Sequence, residues 1–207
     1  MIEKICKYLT EKIQKSNPDI NDERAEAITY GLELIIGEIP KLMLLVVLAF
    51  ILKIGWLVIF AYLTMLPYKT VAGGFHLKTH LGCTLGTMII YFGNVLISKT
   101  IVFEPTAKYI LAGLILILSI ITITIYAPAD TINLPILRKK ERKAKKILSY
   151  IFATLTLIAA VIIKNSTISN ILLLNVLIES ICITRLAYKL TKNEYGYETY
   201  AKQGNLD

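Results

Sequence analysis

His76, His80 and Cys83 lie within one short stretch, VAGGFHLKTHLGCTLGT at residues 71–87, which holds both histidines and one of the three cysteines of the chain. A cysteine acts as a nucleophile only as its thiolate, and a nearby histidine can take the proton. The two histidines offer different geometries. On a regular helix His80, three residues before Cys83, shares its face and comes within contact. His76 is seven residues away, and two straight turns would hold it about 10 Å off, too far for proton transfer. It serves as a base only if the backbone folds back between the two, which Gly73, Gly74 and Gly82 permit. Spacing by itself therefore favours His80. A plainer reading of the stretch is a connecting or re-entrant loop, with interfacial histidines and Cys83 as a small apolar residue at a helix start.

The elements that must position this stretch follow from composition. Of 207 residues, 55% are hydrophobic and 18% charged, more apolar than a soluble domain of this length needs for one core. The chain reads as a single-domain, all-α polytopic membrane protein. Residues 109–127 and 147–163 are uncharged runs near the ~20 residues that cross ~30 Å of hydrocarbon. The shorter runs 42–52 and 54–66 are divided only by Lys53 and Gly55, which suits a tight turn at an interface with Trp56 as an anchor. Residues 84–98 and 168–190 complete about six spans, the last carrying Glu179 and Arg185.

At the amino terminus Ile2, Ile5, Cys6, Leu9 and Ile13 recur at helical spacing among Lys4, Lys7, Lys12 and Lys15. The apolar stretch of a cleavable signal is missing, and residues 1–17 read as an amphipathic helix on the membrane surface or packed on the protein itself. If six spans alternate from a cytoplasmic amino terminus, segments 1–27, 67–80, 127–146 and 185–207 are cytoplasmic and hold 18 of the 23 basic residues. That bias predicts that both termini and the His76 stretch face the cytoplasm, where Cys6, Cys83 and Cys182 stay reduced.

The net charge of +8 is accounted for by this topogenic bias. The run RKKERKAKK at residues 138–146, expected as a basic cytoplasmic loop, would also attract an acidic partner. Nucleic acid is a poorer partner, because the run adjoins membrane spans without aromatic interleaving. Zinc-ligand spacing, a phosphate-cradling glycine loop and a GxSxG elbow are absent from the sequence, so neither a metal nor another cofactor is called for.

Gly74, His76 and Cys83, with a glycine two before the histidine and the cysteine seven after it, resemble the accessory gene regulator B (AgrB) family of membrane cysteine endopeptidases in peptide quorum sensing. The resemblance extends to YGLE at 30–33, Lys41, YAPADT at 126–131, Pro135, Ile136 and the basic segment behind them, nearly the whole chain in order.

The resemblance implies a substrate and a mechanism. The family processes a precursor peptide with an amphipathic leader and an acidic carboxy-terminal tail. Cys83 would attack the bond before the tail, with His76 as base and then acid, and this pattern selects His76 over His80. The acyl-enzyme thioester would pass to a cysteine or serine side chain of the precursor, closing a thiolactone or lactone ring. Lys69 stands where relatives often carry arginine, and tail binding would fall to Lys69, Arg138, Lys139 and Lys140, although lysine loses bidentate carboxylate binding. Glu33, an intramembrane acid, is a supporting candidate that could orient His76, with Gly74 and His80 as further supporting residues. Backbone N–H groups at the start of the Cys83 helix would serve as oxyanion donors. A homodimer is a further implication. Two rival functions stay open: a small membrane peptide transporter or exporter, and a non-catalytic membrane scaffold.

Overall fold

The computed structural model describes residues 2–17, 20–77, 79–132 and 135–202, with the backbone alone described at residues 2, 3, 23, 27, 30, 34, 35, 80 and 202. The described residues form two compact units, Met1–Gly55 and Trp56–Asp207. Every regular element among the described residues is helical.

In the first unit α1 (Ile2–Ser16) and α2 (Asp22–Ile51) pack together. The buried Cys6 and Thr10 lie on the face of α1 that carries its apolar residues, and Thr29 of α2 donates to Thr10 at 2.8 Å. The amphipathic helix expected at residues 1–17 is thus present and packs on α2. Asn21 caps α2 by accepting from the Arg24 amide. α2 ends where Lys53 takes a positive φ of 58°, with the Ile54 amide donating to the Ala49 carbonyl. Such a left-handed cap usually carries glycine, and here lysine makes the tight turn expected before Trp56.

The second unit contains α3 (Gly55–Ala72), α4 (His80–Thr100), α5 (Pro105–Tyr126), α6 (Lys139–Ile162), α7 (Ser166–Cys182), α8 (Arg185–Leu190) and α9 (Gly196–Lys202). Among the described residues five helices, α2 to α6, are long and apolar enough to cross a membrane, and α7 is a shorter apolar helix. Large apolar side chains such as Leu85, Ile89, Leu114, Ile121, Leu155 and Ile158 point outward, while Ala112, Ala153, Ala160 and a set of polar side chains are buried. That inversion suits lipid, which gives apolar side chains no reason to hide and leaves close packing and hydrogen bonds to join helices.

α7 is the hub, packing on α4, α5, α6 and α8. Its buried polar residues join it to its neighbours. Asn175 donates to the Ala61 carbonyl at 3.0 Å and to Thr64 Oγ1 at 2.9 Å in α3, and accepts from Asn94 of α4 at 2.7 Å. Asn170 reaches the Ile101 carbonyl at 2.7 Å, and Ser169 the Ala160 carbonyl at 2.6 Å. One asparagine thus ties together the two helices that flank the His76 stretch. Asn175→Leu is expected to cost about 2–4 kcal/mol, since it removes these bonds and leaves the Asn94 amide only its 3.3 Å bond to the Ile171 carbonyl; thermal unfolding in detergent checks this.

Two boundaries differ from expectation. The apolar run 168–190 is not one helix: α7 stops at Cys182, and Thr184 caps α8 by accepting from the Ala187 amide. The basic run is not a loop beyond Arg138. Residues 139–146 form the first turns of α6, because lysine, arginine, glutamate and alanine are good helix formers.

Candidate active site

The His76 stretch breaks the helix. α3 ends at Ala72, and Gly73 and Gly74 take φ values of 84° and 131°, a region open to glycine and strained for other residues. Residues 75–77 belong to no regular element, and Thr79 caps α4 by accepting from the Gly82 amide at 3.0 Å. Cys83 lies in the first turn of α4, its amide donating to the Thr79 carbonyl, whereas His76 is on the loop. The straight helix that would hold the two about 10 Å apart is therefore not formed.

The loop is held from a distance. The Ala129 amide donates to the Ala72 carbonyl at 2.7 Å and the Gly74 amide to the Ala129 carbonyl at 2.9 Å, pairing the glycine turn with the YAPADT segment. Tyr188 of α8 donates to the same Ala129 carbonyl at 2.8 Å and stacks on Tyr195 at 4.2 Å. Asn193, just past α8, donates to the His76 carbonyl at 2.8 Å. The His76 side chain is exposed and Cys83 half-buried. Cys6 and Cys182 are buried, and no disulfide joins the three thiols.

Beneath the turn lies a charge. A Cβ on Gly74 would stand 3.6 Å from Glu179 Oε1, and Glu179 is wholly buried with neither carboxylate oxygen hydrogen-bonded among the described residues. Lys69 Nζ, in the last turn of α3, sits 3.6 Å from Glu179 Oε2, and the neighbouring Tyr68 hydroxyl bonds Ser180 at 3.2 Å. Lys69 thus has an anionic partner inside the protein. Lys69→Met is expected to destabilise by about 3–5 kcal/mol by stranding the buried carboxylate, and Lys69→Met with Glu179→Gln to recover much of that loss; thermal unfolding of both variants checks it.

Asp130 of YAPADT plays a parallel part. Its Oδ2 accepts from the Ile136 and Tyr197 amides at 2.9 and 3.0 Å and meets Arg142 at 3.2 Å. The segment that carries the glycine turn therefore also holds the start of α6, where Arg138, Lys139 and Lys140 are exposed. Glu33 lies on α2 in the first unit, within electrostatic range of Cys6. The His80 side chain lies outside the described residues.

Sequence reasoning placed Gly74, His76 and Cys83 in one stretch but missed Ala129, Glu179, Tyr188 and Asn193 as its supports. Of these only Glu179 carried a signal, as an acid within an apolar run.

A family model described as accessory gene regulator B matches residues 6–183. An AgrB-like protein of Listeria monocytogenes is 25% identical over 189 residues, 91% of each chain. One from Clostridium beijerinckii is 28% identical over 158 residues, 74% of this chain and 76% of its own. One from Halalkalibacterium halodurans is 23% identical over 192 residues, 93% of this chain and 91% of its own. No solved structure matches the chain. With the family match taking in the glycine turn, Cys83, the YAPADT segment and Glu179, the chain belongs to the accessory gene regulator B family.

Proposed function

We propose that this protein is a membrane cysteine endopeptidase of peptide quorum sensing, with its active site and both termini on the cytoplasmic face. The observation that carries the reading is the glycine turn, which lifts His76 off the helix whose first turn holds Cys83. His76 takes the Cys83 proton, and the thiolate attacks the carbonyl carbon of the bond before the precursor's tail. The tail amine leaves with the proton returned by His76, and a thioester to Cys83 remains. A cysteine or serine side chain of the precursor then attacks the thioester, closing the ring and releasing Cys83 as the thiol. Thioester exchange is nearly isoenergetic, so the nucleophile must be held close and water excluded.

Thr79 already engages the Gly82 and Cys83 amides. The amides of His80 and Leu81, at positions with no carbonyl one turn back, are the oxyanion donors in this reading. The exposed Arg138, Lys139 and Lys140 receive the acidic tail, while Lys69 serves mainly to hold Glu179. A second copy of the chain is a partner.

The test is co-expression with a tailed precursor and intact-mass analysis of the peptide. The peptidase reading expects tail loss that Cys83→Ala abolishes. A transporter predicts that Cys83→Ala leaves activity intact. A scaffold predicts that charge reversal at Lys139 and Lys140 matters while His76→Ala does not.

A further inference from the structure

A second polar feature lies away from the glycine turn. A cavity of about 430 Å³ opens between the end of α5, the start of α6 and α9, lined by Ile125, Tyr126, Arg142, Lys143, Lys146 and Tyr197 among others. This volume is in the range of small-molecule sites.

Its charges are arranged unequally. Arg142 forms a fixed wall: it meets Asp130, donates to the Pro128 and Ile136 carbonyls, and lies 4.2 Å over the Tyr197 ring. Lys146 is aimed by donating to the Thr124 carbonyl at 2.9 Å. Lys143 is exposed, with no ion pair among the described residues. The one acid on the rim among the described residues, Glu198, is paired with Arg185 at 2.6 Å. Since Asp130 offsets Arg142, Lys143 and Lys146 leave the cleft with an uncompensated positive charge.

The surface changes character within one turn on both helices. On α5, Tyr126 is followed toward the helix middle by the exposed Ile125 and Ile121; on α6, Lys143 and Lys146 are followed by the exposed Ile147 and Ile151. A hydrogen bond of 2.7 Å between Thr124 and Tyr150 joins the helices at this level. An anion site opening directly onto lipid-facing isoleucines matches an amphiphile. A purely acidic peptide would have no use for the apolar half. Basic pockets between membrane helices are the usual seats of anionic headgroups, and tyrosine is a common interfacial side chain.

We propose that this cleft binds the phosphate of an anionic phospholipid at Lys143 and Lys146, with the acyl chains along Ile121 and Ile125 of α5 and Ile147 and Ile151 of α6. The site is separate from the proposed peptidase chemistry and does not depend on it.

The test is native mass spectrometry of the whole chain released from detergent micelles with phosphatidylglycerol or phosphatidylcholine. One phosphatidylglycerol per chain is expected, held at least ten-fold more tightly than phosphatidylcholine. Lys143→Glu, an exposed site with no packing role, is expected to weaken it at least five-fold, and Lys143→Glu with Lys146→Gln about 30-fold, near a factor of five per lysine. Lys164→Gln, past the far end of α6, is expected to leave it unchanged. Equal retention of both lipids, or no effect of Lys143→Glu, overturns the proposal. So does displacement of the lipid by inorganic phosphate at equal concentration, which leaves the acyl half without a role. Stronger displacement by hexaglutamate reassigns the cleft to an acidic peptide.

Discussion

Cys83→Ala is expected to reduce tail release by about four orders of magnitude or more, to the level without enzyme, while thermal unfolding in detergent changes little. Nucleophile and base act as a unit, so losing either costs nearly as much as losing both. His76→Ala should therefore match Cys83→Ala, and the double variant should be no worse. Alanine at position 83 keeps a small side chain where the thiol is only half-buried, so the fold has little reason to respond. Tail release is read by intact-mass analysis of the precursor. Cys182→Ala, at a buried thiol, is expected to keep the activity and lose modest stability.

Gly73→Ala is expected to be the most damaging single methyl group in the protein. The added Cβ would stand 2.2 Å from the Ala129 carbonyl oxygen, at a φ of 84°. That oxygen accepts from both the Gly74 amide and the Tyr188 hydroxyl, so it cannot retreat without breaking the contacts that hold the loop. A loss of about 3 kcal/mol or more is expected, with activity falling even in the fraction that folds. Gly74→Ala should be milder. Its nearest neighbour is 3.6 Å away, leaving mainly the strain of a φ of 131°, about 1–3 kcal/mol. Gly113→Ala, within α5 and with nothing inside 4 Å, should be neutral or slightly stabilising. Thermal unfolding of the three variants orders them. The glycine that marks the family pattern is Gly74, yet the tighter approach is at Gly73.

Much of this architecture was legible in the chain. Uncharged apolar runs mark α5 and α6, and helical spacing of Ile5, Cys6, Leu9 and Ile13 marks α1, because lipid and surface each impose a simple composition. Boundaries were less so: the apolar run 168–190 hides a break made by one threonine cap, and the basic run looks like loop although its residues favour helix. The site divides the same way. Gly74, His76 and Cys83 are close in sequence, and their spacing poses the right geometric question. The supports are not close: Asn193 and His76 are 117 residues apart, and no local pattern announces that pairing. Glu33 and Glu179 carry the same signal, an acid among apolar residues, and only the fold shows that Glu179 lies beneath Gly74.

The most direct measurement is the acyl-enzyme itself. A precursor whose ring-closing side chain is replaced by alanine cannot resolve the thioester, so the intermediate should accumulate. Peptide mapping after a short reaction is expected to find the precursor's mass, less its tail, on Cys83, removable by hydroxylamine. The adduct should be retained in His80→Ala and lost in His76→Ala. An adduct on Cys6 or Cys182, tail release without any thioester, or loss of the adduct in His80→Ala but not in His76→Ala would contradict the account.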